Sequence, residues 1–172
     1  DDGPGMETSE PPDLRRLPIL THHERDGGPY ITSALISAQS LDGEVENVSV
    51  HRLQVLDRRR LAIRLVPRHL YMLHQEAKKV GKALEVAISI GVHPALLVAA
   101  STSPPLGVSE YEVANSLLNG KLKLTACRTV RAYAPAEAEI VLEAKILPAE
   151  DSLEGPFADL TETYDEVRSQ PV

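Results

Sequence analysis

The chain has 172 residues, a formal net charge of -7 and 42% hydrophobic residues. Length and apolar content suit one packed domain, with a core of Leu, Ile, Val and Ala, because Trp is absent and Phe occurs once. The acidic balance argues against a nucleic-acid partner, which needs a basic face. The single cysteine, Cys127, rules out an intrachain disulfide framework and a thiolate zinc cluster, and a reducing, cytoplasmic setting is the simplest expectation. No apolar run of about 18 residues is present, so no membrane span is expected.

Residues 1–16 are acidic and rich in Pro and Gly; without a basic n-region or apolar h-region they read as a linker, not a signal peptide. Asp26-Gly27-Gly28-Pro29 is strong turn punctuation. Tyr30 to Gln39 is β-rich, Leu41-Asp42-Gly43-Glu44 reads as a hairpin turn, and Val45 to Leu56 follows as a strand with a break. Asp57 to Arg60 turns the chain and Leu61 to Val66 runs back, which predicts an antiparallel meander. The period then changes. Leu70, Leu73, Ala77 and Val80 recur at spacings of three and four, so a helix is expected from Arg68 to Val80, closed by Gly81.

Leu84 to Ile90 is a compact apolar strand. His93-Pro94 opens a short helix, Ala95 to Ala100. Ser109 caps a second, Glu110 to Leu118, with Glu112 as capping-box partner and Asn119-Gly120 as the stop. Lys121 to Tyr133 and Glu139 to Leu147 are β segments, and the residues from Pro148 onward are expected to form an acidic loop. No dinucleotide fingerprint or P-loop occurs, which disfavours a Rossmann domain. The fold class expected is α+β with a mainly antiparallel, barrel-like sheet.

Three groups of residues could carry chemistry, and each also has an ordinary structural role open to it. Asn47, His69 and Glu110 offer an amide oxygen, an imidazole nitrogen and a carboxylate, a set suited to Mn²⁺ or Mg²⁺; equally, Glu110 in the first turn of a helix is favourable through the helix dipole alone. Arg52, Arg64 and Arg68 are candidates for an anion site or for structural ion pairs. Arg52 alternates with Val50 and so falls on a face where an apolar residue is expected; a guanidinium there needs a partner. Glu154 and Asp159 are five residues apart around a Gly-Pro bend that could bring both carboxylates to one site, or leave them solvated. Ser101, Ser103 and Cys127 have no base at a motif spacing, and nucleophilic catalysis is not indicated.

From about Leu17 to Thr161 the chain resembles the central part of the UbiD-type decarboxylases, which use prenylated FMN. The resemblance rests on the order and spacing of L-P-I-L, D-G-G-P-Y-I-T, N-V-S-V-H-R-L-Q-V-L, P-R-H, G-K-A-L-E-V-A-I-S-I-G-V-H-P-A, P-P-L-G-V-S-E-Y-E, P-A-E-A-E-I-V-L-E and E-G-P-F-A-D. It implies a split β-barrel, flavin-binding-like core over 17–148 with flanking helices, and a tail over 149–172 carrying the catalytic carboxylates. It implies Mn²⁺ on Asn47, His69 and Glu110, and contacts to the cofactor from Val50, His51, Arg52, Arg64 and Arg68. It further implies K⁺ near Ala99, Ala100 and Thr102, and a catalytic network of Arg52, Glu154 and Asp159.

The reaction implied is reversible, non-oxidative loss of CO₂ from an α,β-unsaturated or aromatic acid, with the modified flavin as electron sink. Glu154 would act in proton transfer, with Asp159 as its partner or as the donor. A flavin prenyltransferase would supply the cofactor, and the full-length form would be a homo-oligomer. Family enzymes are longer, with further domains on either side, so this chain is expected to be their cofactor-binding middle; a flavin-binding module without turnover is the alternative. The sequence departs from the family pattern at Ala158, where Gly is usual, and at Leu160. Ala does not take positive φ cheaply, so the bend carrying Asp159 is expected to differ.

Overall fold

The fold was read from a computed structural model, which describes residues 3–161 and 163–172. In chain order the strands and helices are β1 (Tyr30–Ile31), β2 (Leu35–Gln39), β3 (Glu46–Val50), β4 (Leu53–Val55), β5 (Leu61–Ile63), α1 (His69–Lys79), β6 (Leu84–Ile90), α2 (Pro94–Ala100), α3 (Glu110–Leu117), β7 (Leu124–Ala126), β8 (Tyr133–Pro135), β9 (Ile140–Ile146), β10 (Asp151–Glu154), β11 (Phe157–Ala158), β12 (Tyr164–Asp165) and β13 (Arg168–Pro171).

The central sheet has the order β3-β2-β6-β9 and is antiparallel throughout; a second sheet, β1-β4-β5, lies beside it. Both faces of the central sheet are covered, which is why β2 and β6 read as nearly continuous apolar runs. Ile36, Ala38, Val86, Ile88 and Ile146 pack with Leu53 and Ile63 of the second sheet and Leu70, Leu73 and Ala77 of α1. Leu35 and Val48 pack against Leu96 and Ala99 of α2 and Tyr111 and Ala114 of α3. Burial of Leu70 and Leu73 alone stabilises the docking of α1 by about 3–6 kcal/mol.

The helix ends follow their local chemistry. Gly81 closes α1 at φ 69°, donating to the Lys78 carbonyl, while Lys82 N donates to that of Ala77. His93 Nδ1 accepts from Ala95 N at the start of α2, and Ser109 Oγ accepts from Tyr111 N at the start of α3. The expected capping-box contact gives way to a longer-range one: Ser109 Oγ donates to Glu46 Oε2 of β3 at 2.7 Å, pinning α3 to the central sheet.

The expected mix of antiparallel sheets and flanking helices is present: the domain is mixed α/β with three helices, and no closed barrel is detected among the described residues. Finer expectations are corrected. The anticipated meander is divided between two sheets, because the chain crosses over at residues 32–34 and again at 51–52. The stretch after Pro148 is not a plain loop: β10 pairs with β13 and β11 with β12. These strands are held mainly by backbone bonds and bury few apolar side chains, so they leave no alternating pattern to read. Met6 and Leu14, in the segment read as a linker, are buried, and Leu14 N donates to the Arg58 carbonyl.

Candidate active site

An open cleft of about 890 Å³ runs beside β3 and its exit toward β4, a size in the range of small-molecule and cofactor sites. Asn47, Ser49, Val50, His51, Arg52, Arg64, Arg68, His69 and Glu110 all line it. Alternation along β3 turns Asn47 and Ser49 to the cleft while Val48 enters the core. After Val50 the strand breaks, and Val50, His51 and Arg52 all reach the cleft wall.

At one end Glu110 is 3% exposed. Its carboxylate accepts from Asn47 Nδ2 at 3.1 Å and from Val48 N at 2.7 Å. A carboxylate only accepts, so the Asn47 amide must present its nitrogen to Glu110 and its oxygen to Ser49, whose hydroxyl lies 3.1 Å away. Among the described residues no Lys, Arg or His forms an ion pair with Glu110. A buried carboxylate without a cation calls for one, and His69 lines the same cleft. Only two of these three candidates are His, Cys, Asp or Glu, and among the described residues no group of three such side chains could hold a metal; the third candidate is the Asn47 amide. The donor set therefore fits a hard divalent cation that keeps open positions.

His51 connects this end to the next. Its Nδ1 lies 2.9 Å from the Arg64 carbonyl, which can only accept, so Nδ1 carries the proton; Nε2 faces Ser49 Oγ at 3.0 Å. Burial pushes the His51 pKa down, partly offset by the bond to Arg64. Neutral His51 therefore offers Nε2 as an acceptor, and the single Ser49 hydroxyl hydrogen has two competing acceptors, His51 Nε2 and Asn47 Oδ1.

The other end is built on Arg52. Its Nε and Nη2 donate to Glu154 Oε1 and Oε2 at 2.8 and 2.9 Å, a bidentate pair in which the Glu154 side chain is 0% exposed. Nη2 also donates to Asp165 Oδ2 at 2.9 Å, and Arg64 Nη2 lies 3.2 Å from the same oxygen. The guanidinium stands 4.8 Å from the Phe157 ring centre. Tyr30 OH, buried on the far side, is 3.1 Å from both Glu154 Oε1 and Gln54 Oε1. Burial and then the Glu154 charge push the Tyr30 pKa well up, so the phenol keeps its proton. Gln54 Oε1 also accepts from Gly155 N, and Gln54 Nε2 donates to the Gly27 carbonyl. The 154–158 bend is therefore fastened to the Asp26-Gly27 loop, where Gly27 N donates to the Pro156 carbonyl and Ala158 N to Asp26 Oδ1.

Positive φ falls on Gly155, at 105°, while Ala158 sits in β11 opposite Tyr164, so the alanine does not strain the bend as expected. Asp159 is not beside Arg52. It is exposed, and its Oδ1 accepts from Thr161 N and Thr161 Oγ1 at 2.7 and 2.5 Å; these bonds hold its carboxyl below the usual aspartate range. The position beside Arg52 belongs to Asp165. Arg68 donates to Ser103 Oγ at 3.2 Å across the cleft rim. The Ala99 carbonyl accepts from both Thr102 N and Thr102 Oγ1, so those oxygens engage one another. Residues missed from sequence are Tyr30, Ser49, Gln54 and Asp165. The alternation Asn47, Ser49, His51 could have exposed Ser49, and Gln54 alternates with Arg52; nothing local marks Asp165.

A protein of Methanothermobacter thermautotrophicus named anhydromevalonate phosphate decarboxylase is 51% identical over 160 residues, 93% of this chain and 38% of that protein. A structure of an evolved dimeric form of the UbiD-class enzyme HmfF from Pelotomaculum thermopropionicum in complex with prFMN superposes with a TM-score of 0.89 at 47% identity, covering 92% of this chain and 37% of that one. Vanillic acid decarboxylase of Sedimentibacter hydroxybenzoicus, in closed form, gives a TM-score of 0.86 at 31% identity, over 90% of this chain and 34% of that one. The chain thus spans well under half the length of these relatives. The family model described as "UbiD: 3-octaprenyl-4-hydroxybenzoate carboxy-lyase Rift-related domain" matches residues 2–172, and the chain belongs to the UbiD family.

Proposed function

We propose that this chain is the cofactor-binding portion of a prenylated-FMN-dependent decarboxylase that acts reversibly on an α,β-unsaturated or aromatic carboxylic acid. The observation that carries this reading is the pairing of Arg52 with fully buried Glu154 at a cleft that Arg52 lines together with Glu110, Asn47 and His69. When bound, prenylated FMN supplies the electron sink for breaking the bond to CO₂. Asn47, His69 and Glu110 would hold Mn²⁺, and Arg68 and Arg64 would face the cofactor's anionic groups.

Arg52 commits Nε and Nη2 to Glu154 and Asp165, and among the described residues Nη1 has no acceptor. That edge is the one to receive a substrate carboxylate. Glu154, with three donors on it, orients the guanidinium. Asp159, exposed at the hairpin tip, is the acid able to exchange a proton with solvent; to deliver it, Asp159 must first shed its bonds to Thr161. K⁺ near Ala99, Ala100 and Thr102, a flavin prenyltransferase as supplier, homo-oligomerisation and a cytoplasmic setting belong to the same reading. A flavin-binding module without turnover is the second reading, favoured by the outward position of Asp159.

The test is to load the full-length protein with reduced prenylated FMN and Mn²⁺, record the flavin spectrum and measure CO₂ release from a panel including anhydromevalonate phosphate and aromatic acids. Release from one class selects the substrate type. Binding without release selects the second reading, and no binding ends both.

A further inference from the structure

The acid that the structure sets against Arg52 is not the one expected. Asp165 lies on β12, opposite Phe157 of β11, so the short hairpin that stacks Phe157 on Arg52 also delivers Asp165 to it. One oxygen, Oδ2, serves two arginines, 2.9 Å from Arg52 Nη2 and 3.2 Å from Arg64 Nη2. Formal charges on Arg52, Arg64, Glu154 and Asp165 cancel. Asp159, on the same hairpin, faces solvent.

We propose that Asp165 is a positioning residue: it ties Arg52 to Arg64, leaves Arg52 only its Nη1 edge for an incoming carboxylate, and keeps the four-residue cluster neutral. The role in turnover rests on the decarboxylase reading above. The physical argument is one of competition. A guanidinium has five donors in a fixed plane. Glu154 and the Phe157 ring fix the plane of Arg52, and Asp165 consumes the remaining Nη2 hydrogen. It is also the ion-pair partner of Arg64, whose side chain is 15% exposed. Without Asp165 the cluster gains one positive charge and two free donors, and Arg64 becomes a second, competing anchor for any carboxylate. Acids then bind more tightly and less productively.

Asp165→Ala and Asp165→Asn in the full-length protein separate these effects. With prenylated FMN and Mn²⁺ loaded, Asp165→Ala is expected to lower kcat about tenfold or more, without a rise in KM. Titrated calorimetrically into the cofactor-free protein, crotonate, a small α,β-unsaturated carboxylate, is expected to bind about three- to tenfold more tightly to both variants than to wild type. Asp165→Asn keeps an acceptor oxygen but not the charge, so it recovers part of kcat while its crotonate affinity stays raised. A purely structural role would weaken turnover and crotonate binding together. That result, an unchanged kcat in Asp165→Ala, or crotonate affinity no higher than wild type in both variants would overturn the proposal. If wild type itself releases no CO₂, the decarboxylase reading fails, and the crotonate titration alone decides whether Asp165 holds the arginines.

Discussion

Replacing Arg52 by Met tests whether the Arg52–Glu154 pair is as buried as it looks. Arg52→Met removes both bonds to Glu154 and the one to Asp165. Among the described residues, Glu154, with a side chain 0% exposed, then keeps only the Tyr30 hydroxyl at 3.1 Å. Removing one member of a buried ion pair strands the other's charge and costs about 3–5 kcal/mol. For a folding unit of this size that lowers Tm by on the order of 10 °C. Arg52→Met/Glu154→Gln should be more stable than Arg52→Met alone: the stranded charge is gone, and the amide oxygen still accepts from Tyr30. Neither variant should release CO₂, so stability and turnover part company. Urea unfolding of the three proteins supplies the measurement. The reasoning fails if Arg52→Met lies within about 0.5 kcal/mol of wild type, the range of ordinary surface substitutions, or if the second substitution destabilises further.

Glu110→Gln should weaken Mn²⁺ binding more than about tenfold, read by electron paramagnetic resonance of free Mn²⁺; equal binding would remove Glu110 from the metal set. Asp165 gives a pH signature. Burial raises its pKa, but the Arg52 hydrogen bond and the charges of Arg64 and Arg52 outweigh this and leave it below the ordinary 3.8. A lowered acid adds stability that is present above the unfolded value and lost as pH falls through the folded one. The stability gap between wild type and Asp165→Asn should hold from neutral pH down to about pH 5 and close below about pH 4; a gap that persists in strong acid contradicts the ion pairs. Gly27→Ala should destabilise by about 1–3 kcal/mol, since its Cβ would lie 2.2 Å from the Gly155 carbonyl oxygen and 2.8 Å from Gln54 Nε2. It should also lower CO₂ release by shifting the bend that carries Glu154; unchanged thermal unfolding would refute the close approach.

How much of this was legible differs from element to element. Periodicity and caps located α1, β6 and α3 closely, because each is a regular element with an apolar face on the core and terminal residues suited to its ends. The separation of β3 from β4 was invisible: the break at residues 51–52 sends the chain from one sheet to the other, and strand propensity says nothing about sheet membership. Glu110 and Asn47 lie 63 residues apart and meet at 3.1 Å; only the family resemblance, not spacing, suggested that meeting. Asp165 escaped because its role depends on the register of β11 with β12, in a stretch too polar and too short to show a period. Concern over Ala158 was misplaced for a similar reason, since the left-handed residue of the bend is Gly155.

The pairing of Asn47 with Ala38 on β2 makes β3 a ruler. Asn47 and Arg52 mark two ends of the cleft, and five residue steps of chain reach at most about 17 Å. That reach is an upper bound on the backbone separation of the two residues that a ligand engaging both would bridge. Because side chains alternate, a slip of one residue between β2 and β3 would swing Val48 outward and carry Asn47 into the core. The reach of the cleft is therefore calibrated from β2, a strand whose Leu35, Ile36 and Ala38 are buried in the core. Substitutions there should alter which ligands fit without touching any of them.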